Sequence, residues 1–278
     1  MKLVWSLANR NPQHPHNQYV YDMFYLSVHL AKDLGYETVL YGTTDAIVRI
    51  GEYFDETHNT DNIEYILFDD LKIHIWETRT DDYATIDGDM FLYSPIEFNT
   101  NPIIFVSFDQ LIKNDIPKSV NDSLKLLNEF NIVNLIPEWN TNSKNSISTN
   151  LIRWKGNNGL LNYYIDSYKT LRKLFLDNED IVSKHNSELA SNKSLTSHIL
   201  CEHLLERLIS YYNLSYDEIR TNPKNSYSHW QGSEKFENKY KINSVKLIVE
   251  VHKLLGGTIE SIYNSLIIQK TIEPILYN

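Results

Sequence analysis

Two short stretches carry residue types able to hold a divalent ion and a phosphate. The first is DYATIDGDMFL (82–92), in which Asp87 and Asp89 flank Gly88 behind an apolar run. In extended backbone, residues two apart point to the same side, so both carboxylates could meet one ion. Gly88 between them would permit close approach of a ligand and backbone angles that other residues resist. Carboxylate oxygens are hard ligands suited to Mg²⁺ or Mn²⁺, ions that commonly bridge a few carboxylates to substrate phosphates. Asp and Gly are also frequent turn residues, so the same triplet reads equally as an acidic turn at a strand end. The second stretch is SHWQGSEKF (228–236). His229 offers an imidazole nitrogen, which Mn²⁺ accepts more readily than Mg²⁺ or Ca²⁺ does. Gly232 lets the backbone come near a ligand, and Lys235 supplies a point charge for a phosphate oxygen. Taken alone, His229 reads as a surface or packing histidine in a loop.

Two further segments bear polar groups where chemistry could use them. In RWKGNNGLLNYYIDSY (153–168), Asn157 and Asn158 precede Gly159 at a helix start, where exposed N–H groups and short side chains suit sugar hydroxyls or phosphate. A plain Asn N-cap explains the same residues. In CEHLLERL, Glu202 and Glu206 stand one helical turn apart on a helix whose apolar stripe is Ile199, Leu200, Leu204, Leu208 and Ile209. Such glutamates are ordinarily solvated.

The surrounding pattern supplies the elements that must position these groups. KLVWSL (2–7) reads as a buried strand, and a helix follows from Tyr19 to Leu34 with Gly35 as its C-cap. ETVLYG (37–42) reads as a second strand, TTDAIVRIGEYF as a helix and IEYILF (63–68) as a third strand. DYATIDGDMFL and PIIFVSFD (102–109) follow as strands, SVNDSLKLLNEF (119–130) as a helix and NIVNLI (131–136) as a strand. NTNSKNSISTN (140–150) and residues 220–241 read as loops, and 159–175 and 195–212 as helices. A helical hairpin turning at Gly256-Gly257 closes the chain. Strands alternating with helices imply an α/β fold with a mostly parallel central sheet. In such sheets ligands bind beyond the carboxyl ends of the strands, where Asp87 and Asp89 fall.

At 278 residues and 42% hydrophobic, the chain can bury a full core. A formal net charge of −10 disfavours nucleic acid as a partner. The single cysteine, Cys201, excludes an intramolecular disulfide and a cysteine-based zinc site. No run of about 18 apolar residues occurs, and the start MKLVWSLANRN is too short for a signal core, so a cytoplasmic protein without a transmembrane segment is expected.

The order of the motifs carries more than any one of them. An apolar strand ending in Asp-x-Asp, an Asn-Gly segment opening a helix, a Glu-bearing helix and then His-x-x-Gly-x-x-Lys resembles the retaining glycosyltransferases of the glycogenin and bacterial galactosyltransferase type, and most of all an uncharacterised bacterial and viral branch of them. Where that family often follows its motif lysine with Pro-Trp, this chain has Phe236-Glu237. The resemblance implies a GT-A-like, Rossmann-like single domain over 1–241 with a C-terminal helical hairpin over 242–278 packed on it. It implies Mn²⁺, with Mg²⁺ as the substitute, held by Asp87, Asp89 and His229. It further implies a nucleotide-sugar donor, a UDP-hexose, whose diphosphate meets Gly88, Gly232 and Lys235. Ser6, Tyr41 and Asp45 would meet the base and ribose, and Asn158 and Glu202 would act at the reacting sugar. The acceptor, a glycan, protein or small molecule, is not specified. A non-catalytic nucleotide-sugar or glycan-binding protein on the same fold is the alternative, and a metal-dependent phosphohydrolase would require more acidic or histidine ligands than these motifs offer.

Overall fold

The computed structural model describes residues 1–8, 18–64, 66–67, 69–92, 94–96, 103–105, 108–110, 130, 132–140, 145–147, 149–154, 159–181, 199–218 and 227–229. The chain forms two compact units. The first comprises Met1–Asp61, Ile86–Glu97 and Thr221–Asn278, and the second Asn62–Thr85 and Phe98–Arg220. The expected helices at 119–130 and in the C-terminal hairpin of 242–278 lie outside the described residues, apart from Phe130.

The first unit opens as expected. β1 (Lys2–Leu7), α1 (Gln18–Asp33) and β2 (Glu37–Gly42) form a parallel β-α-β arrangement in which Lys2 is paired with Glu37 and Leu7 with Gly42. Parallel strands covered on both faces read as continuous apolar runs, and Leu3, Val4, Trp5, Val39 and Leu40 are all buried. α1 ends in a Schellman motif. Gly35 at φ +81° donates to Lys32 O at 2.8 Å, and Tyr36 N donates to Ala31 O at 3.1 Å. α2 (Thr44–Ile50) and a 3₁₀ turn then lead to β3 (Glu56–Asn59), parallel to β2.

β3 stands where sequence pattern did not put it. The third strand is the polar ETHN, and the apolar stretch at 63–68 forms no strand among its described residues. β3 is an edge strand with one neighbour, alternately half-buried and exposed, so it needs no apolar run. Ion pairs help fix it: Lys2 Nζ lies 3.0 Å from Glu37 Oε1 and 2.8 Å from Glu56 Oε2. Asp55, just before β3, accepts from Thr38 N and Oγ1 in β2 and pairs with Lys32 of α1.

In the second unit, α3 (Asp70–Thr78) precedes β4 (Tyr83–Ile86), which ends as the chain enters the first unit. β6 (Ile103–Phe105), β9 (Leu151–Trp154) and the short β10 (Asp217–Glu218) complete a sheet in the order β10-β6-β9-β4. β6 is parallel to β10 and antiparallel to β9. The fold is thus mixed α/β: of these central-sheet pairs, β1–β2, β2–β3 and β6–β10 are parallel and β6–β9 is antiparallel. α4 (Gly159–Asp177) and α5 (Leu204–Tyr212) lie where helices were expected. The expected strand PIIFVSFD is two strands, since β7 (Phe108–Gln110) leaves β6 to pair with β8 (Asn145–Ile147), inside a stretch that reads as loop. NIVNLI is a 3₁₀ turn over Ile132–Asn134. Three-residue strands are too short to show a period, and a partner rather than composition decides that they form.

Asp70 joins the start of α3 to α4. Its Oδ2 accepts from Ile66 N at 2.7 Å and Leu67 N at 2.8 Å, and its Oδ1 accepts from Tyr168 Oη at 3.0 Å and Arg172 Nε at 2.9 Å. Ile66 and Leu67 thus give their N–H groups to a helix start and not to a neighbouring strand, with Leu67 in the core. No helix among the described residues is long and apolar enough to cross a membrane. Because Asp70→Ala strands a guanidinium, a buried phenol and two backbone donors at once, it is expected to lower the unfolding free energy by about 3 kcal/mol. Tyr168→Phe, which removes one of those bonds, should cost about 1 kcal/mol, and urea titration of both variants checks the difference.

Candidate functional site

Asp87-Gly88-Asp89 follows β4 as a tight turn, closed by Met90 N donating to Asp87 O at 3.1 Å. The triplet is therefore not extended strand, and the alternation that would aim both carboxylates to one side does not apply. Asp87 is half-buried and Asp89 only 9% exposed. After the turn the chain enters β5 (Met90–Leu92), wholly buried.

Gly88 has a role that sequence did not disclose. Among the described glycines only Gly35 has a positive φ, so Gly88 is not there for a left-handed backbone. A Cβ built on it would stand 2.0 Å from Phe24 Cε2 and 2.3 Å from Phe24 Cδ2. The close approach that glycine permits is that of an α1 side chain, and Phe24 is itself buried and has little room to yield. One turn along α1, Ser27 Oγ donates to Met90 O at 2.6 Å and accepts from Trp5 Nε1 at 3.0 Å. Neither Phe24 nor Ser27 stands out in the sequence, since their partners lie more than sixty residues away or on another strand.

β11 (Tyr227–His229) runs antiparallel to β5, with Tyr227 opposite Leu92, Ser228 opposite Phe91 and His229 opposite Met90. Directly opposed residues have Cα atoms about 5 Å apart, and Asp89 is the next residue along from Met90. The ribbon thus brings the His229 backbone beside the aspartate turn, within a stretch that reads as irregular. Asp87 and Asp89 carry hard oxygen donors and His229 a nitrogen donor, residue types that suit Mn²⁺, and the His229 side chain lies outside what the structure describes. Among the described residues, no three His, Cys, Asp or Glu side chains form a metal-sized cluster. Gly232, Lys235 and Asn158 lie outside the described residues.

The residues expected to meet base and ribose also lie in the first unit. Ser6 and Tyr41 are register partners at the carboxyl ends of β1 and β2. Tyr41 stacks on His58 of β3, with ring centroids 4.4 Å apart and planes at 19°. His58 Nε2 hydrogen-bonds the Glu56 carboxylate and was missed because its strand was expected elsewhere. Asp45, in the first turn of α2, accepts from Tyr21 Oη at 3.0 Å and pairs with Arg49 Nε at 3.1 Å. Burial and the bond to Asp45 push the Tyr21 phenol up to about 12.

Glu202 belongs to the second unit. It sits in a π-helical turn, Ile199–His203, that leads into α5. It is buried, not solvated, with Thr149 N donating to its Oε1 at 3.5 Å. Glu206 is buried too and accepts from Ser210 Oγ at 2.6 Å. Of the tyrosines nearby, Tyr164 and Tyr168 are core residues, whereas Tyr163 and Tyr212 are partly exposed and both donate to the buried Glu138.

No protein-family model matches the chain and no curated protein matches its sequence. Among solved structures, one described as PaToxG glycosyltransferase superposes with a TM-score of 0.38 at 10% identity, covering 89% of this chain and 87% of that one.

The fit of Phe24 over Gly88 generates a direct test. Gly88→Ala is expected to cost about 1–3 kcal/mol by overpacking. Phe24→Leu alone should also destabilise, but the double variant should recover much of the Gly88→Ala loss. A double-mutant cycle by thermal unfolding checks the sign of that coupling.

Proposed function

We propose that this chain is a metal-dependent glycosyltransferase that moves a hexose from a nucleotide sugar, a UDP-sugar, to an acceptor with retention of configuration. The reading rests first on the motif order along the chain. The single observation that carries it further is the β5–β11 register, which sets His229 opposite Met90, next to Asp89. In the proposed site, Asp87, Asp89 and His229 hold Mn²⁺, with Mg²⁺ as a substitute. Such an ion offsets the negative charge that grows on the departing diphosphate.

The chain's own residues do the rest. Lys235 would add a fixed positive charge for a diphosphate oxygen and Gly232 would let backbone come near it, while Gly88 keeps the aspartate turn seated under Phe24 of α1. Ser6, Tyr41 and Asp45 receive the base and ribose at the carboxyl ends of β1 and β2, the usual binding edge of a parallel sheet. Asn158 and Glu202 act at the transferred sugar, as hydrogen-bonding groups for its hydroxyls. Sugar transfer from a diphosphate leaving group needs no strong protein base, which accords with the absence of a nucleophile and base pair among the motifs.

Thermal unfolding with UDP and with GDP, each with and without Mn²⁺, tests the reading. A nucleotide at about 100 times its dissociation constant should add roughly 2.7 kcal/mol. UDP with Mn²⁺ is expected to stabilise, and Asp89→Ala to remove that gain. No nucleotide effect, or an undiminished one in Asp89→Ala, overturns the site. Release of UDP from UDP-glucose or UDP-galactose identifies turnover, whereas binding without release under any acceptor or water would make the chain a nucleotide-sugar binder.

A further inference from the structure

Ser27 occupies the middle of α1, where a serine ordinarily bonds the carbonyl one turn back or faces solvent. Here it does neither of these as its main task. Its hydroxyl has one hydrogen and two lone pairs. It gives the hydrogen to Met90 O at 2.6 Å and accepts from Trp5 Nε1 at 3.0 Å, with all three residues buried. Each end of this short chain of bonds adjoins a residue of the proposed donor site. Trp5 precedes Ser6 in β1, and Met90 follows Asp89 and is the register partner of His229. Three residues before Ser27, Phe24 fills the space over Gly88.

We infer that Ser27 is a positioning residue for ion and diphosphate binding. Its hydroxyl fixes the carbonyl of Met90 and thereby the spacing of Asp89 and His229 from each other. This rests on the glycosyltransferase reading and adds to it a buried residue remote in sequence from every motif. Phe24 and Gly88 set how deep the turn sits, whereas the Ser27 bond sets how it is rotated about the β5 axis, because a single directed hydrogen bond to a carbonyl prefers the plane of its lone pairs.

The test separates positioning from mere support of the fold. Free Mn²⁺ is counted by electron paramagnetic resonance in titrations of the full chain with UDP, and apo unfolding temperature is measured alongside. Ser27→Ala is expected to weaken Mn²⁺ binding about tenfold, the low end for outer-shell changes around a metal. Trp5→Phe keeps the Ser27–Met90 bond, so it should lower the apo unfolding temperature and leave the Mn²⁺ midpoint within about twofold of wild type. Ile50→Val, a core change in α2, serves as a stability-matched control with an unchanged midpoint. Should Ser27→Ala fail to fold, Ser27→Cys, whose thiol is a poor donor, replaces it with the same expected weakening. A wild-type midpoint in Ser27→Ala, with only the apo temperature lowered, overturns the inference while leaving the proposed function intact. A wild-type chain that binds no Mn²⁺ with UDP overturns both.

Discussion

The candidate site depends on one steric fact, that residue 88 has no side chain. The Phe24 ring lies where a Cβ at that position would be, so α1 can press against the Asp87–Asp89 turn only because Gly88 lets it. Everything downstream inherits that contact. β5 begins at the next residue but one, is fully buried, and offers its edge to β11. The position of His229 is thus linked through two elements to a missing methyl group. Ser27 adds direction to what Phe24 supplies as depth, since packing limits how far apart two surfaces stand while a hydrogen bond also limits how one is turned.

Much of the framework of the first unit is legible in the sequence, and the reasons are physical. β1 and β2 are buried on both faces and must be apolar throughout, while α1 carries a stripe at helical spacing and stops at a glycine in the left-handed region. β3 was hidden because an edge strand needs no apolar run. The run at 63–68 misled because an apolar residue can enter the core without a strand: Asp70 gathers the N–H groups of Ile66 and Leu67, and Leu67 is buried. β7, β8 and β11 have three residues each, and their formation is decided by partners far along the chain.

The site was legible in residue type more than in geometry. Asp87, Asp89 and His229 announce themselves by their chemistry. The expectation of an extended Asp-x-Asp was replaced by a tight turn, and the expected use of Gly88 by a packing role. Glu202 and Glu206 read as solvated because a helical pair of glutamates on an apolar helix usually lies outside its stripe. Both are buried, and the backbone at Glu202 widens to a π-turn that alters which residues share a face. Ser27 could not have been singled out, since a lone serine among Phe24, Tyr25, Leu26 and Val28 carries no signal until its partners are known.

The burial of the aspartate turn bears on its chemistry as well as its shape. Asp89 is 9% exposed and adjoins Met90, Phe91 and Leu92, which are fully buried. A carboxylate at such a boundary has lost part of its hydration and interacts with any nearby charge through a medium less polarisable than water. The same placement that makes the group costly to keep ionised without partners makes a cation beside it bind more firmly than it would at an open surface. Asp87, half-buried, keeps more of its water and faces a smaller penalty. Two carboxylates one glycine apart therefore differ in environment: one is set by the apolar strand it precedes, and the other by the strand end it follows. That asymmetry arises from the turn. An extended triplet with both side chains on one face would have given the two groups nearly the same surroundings.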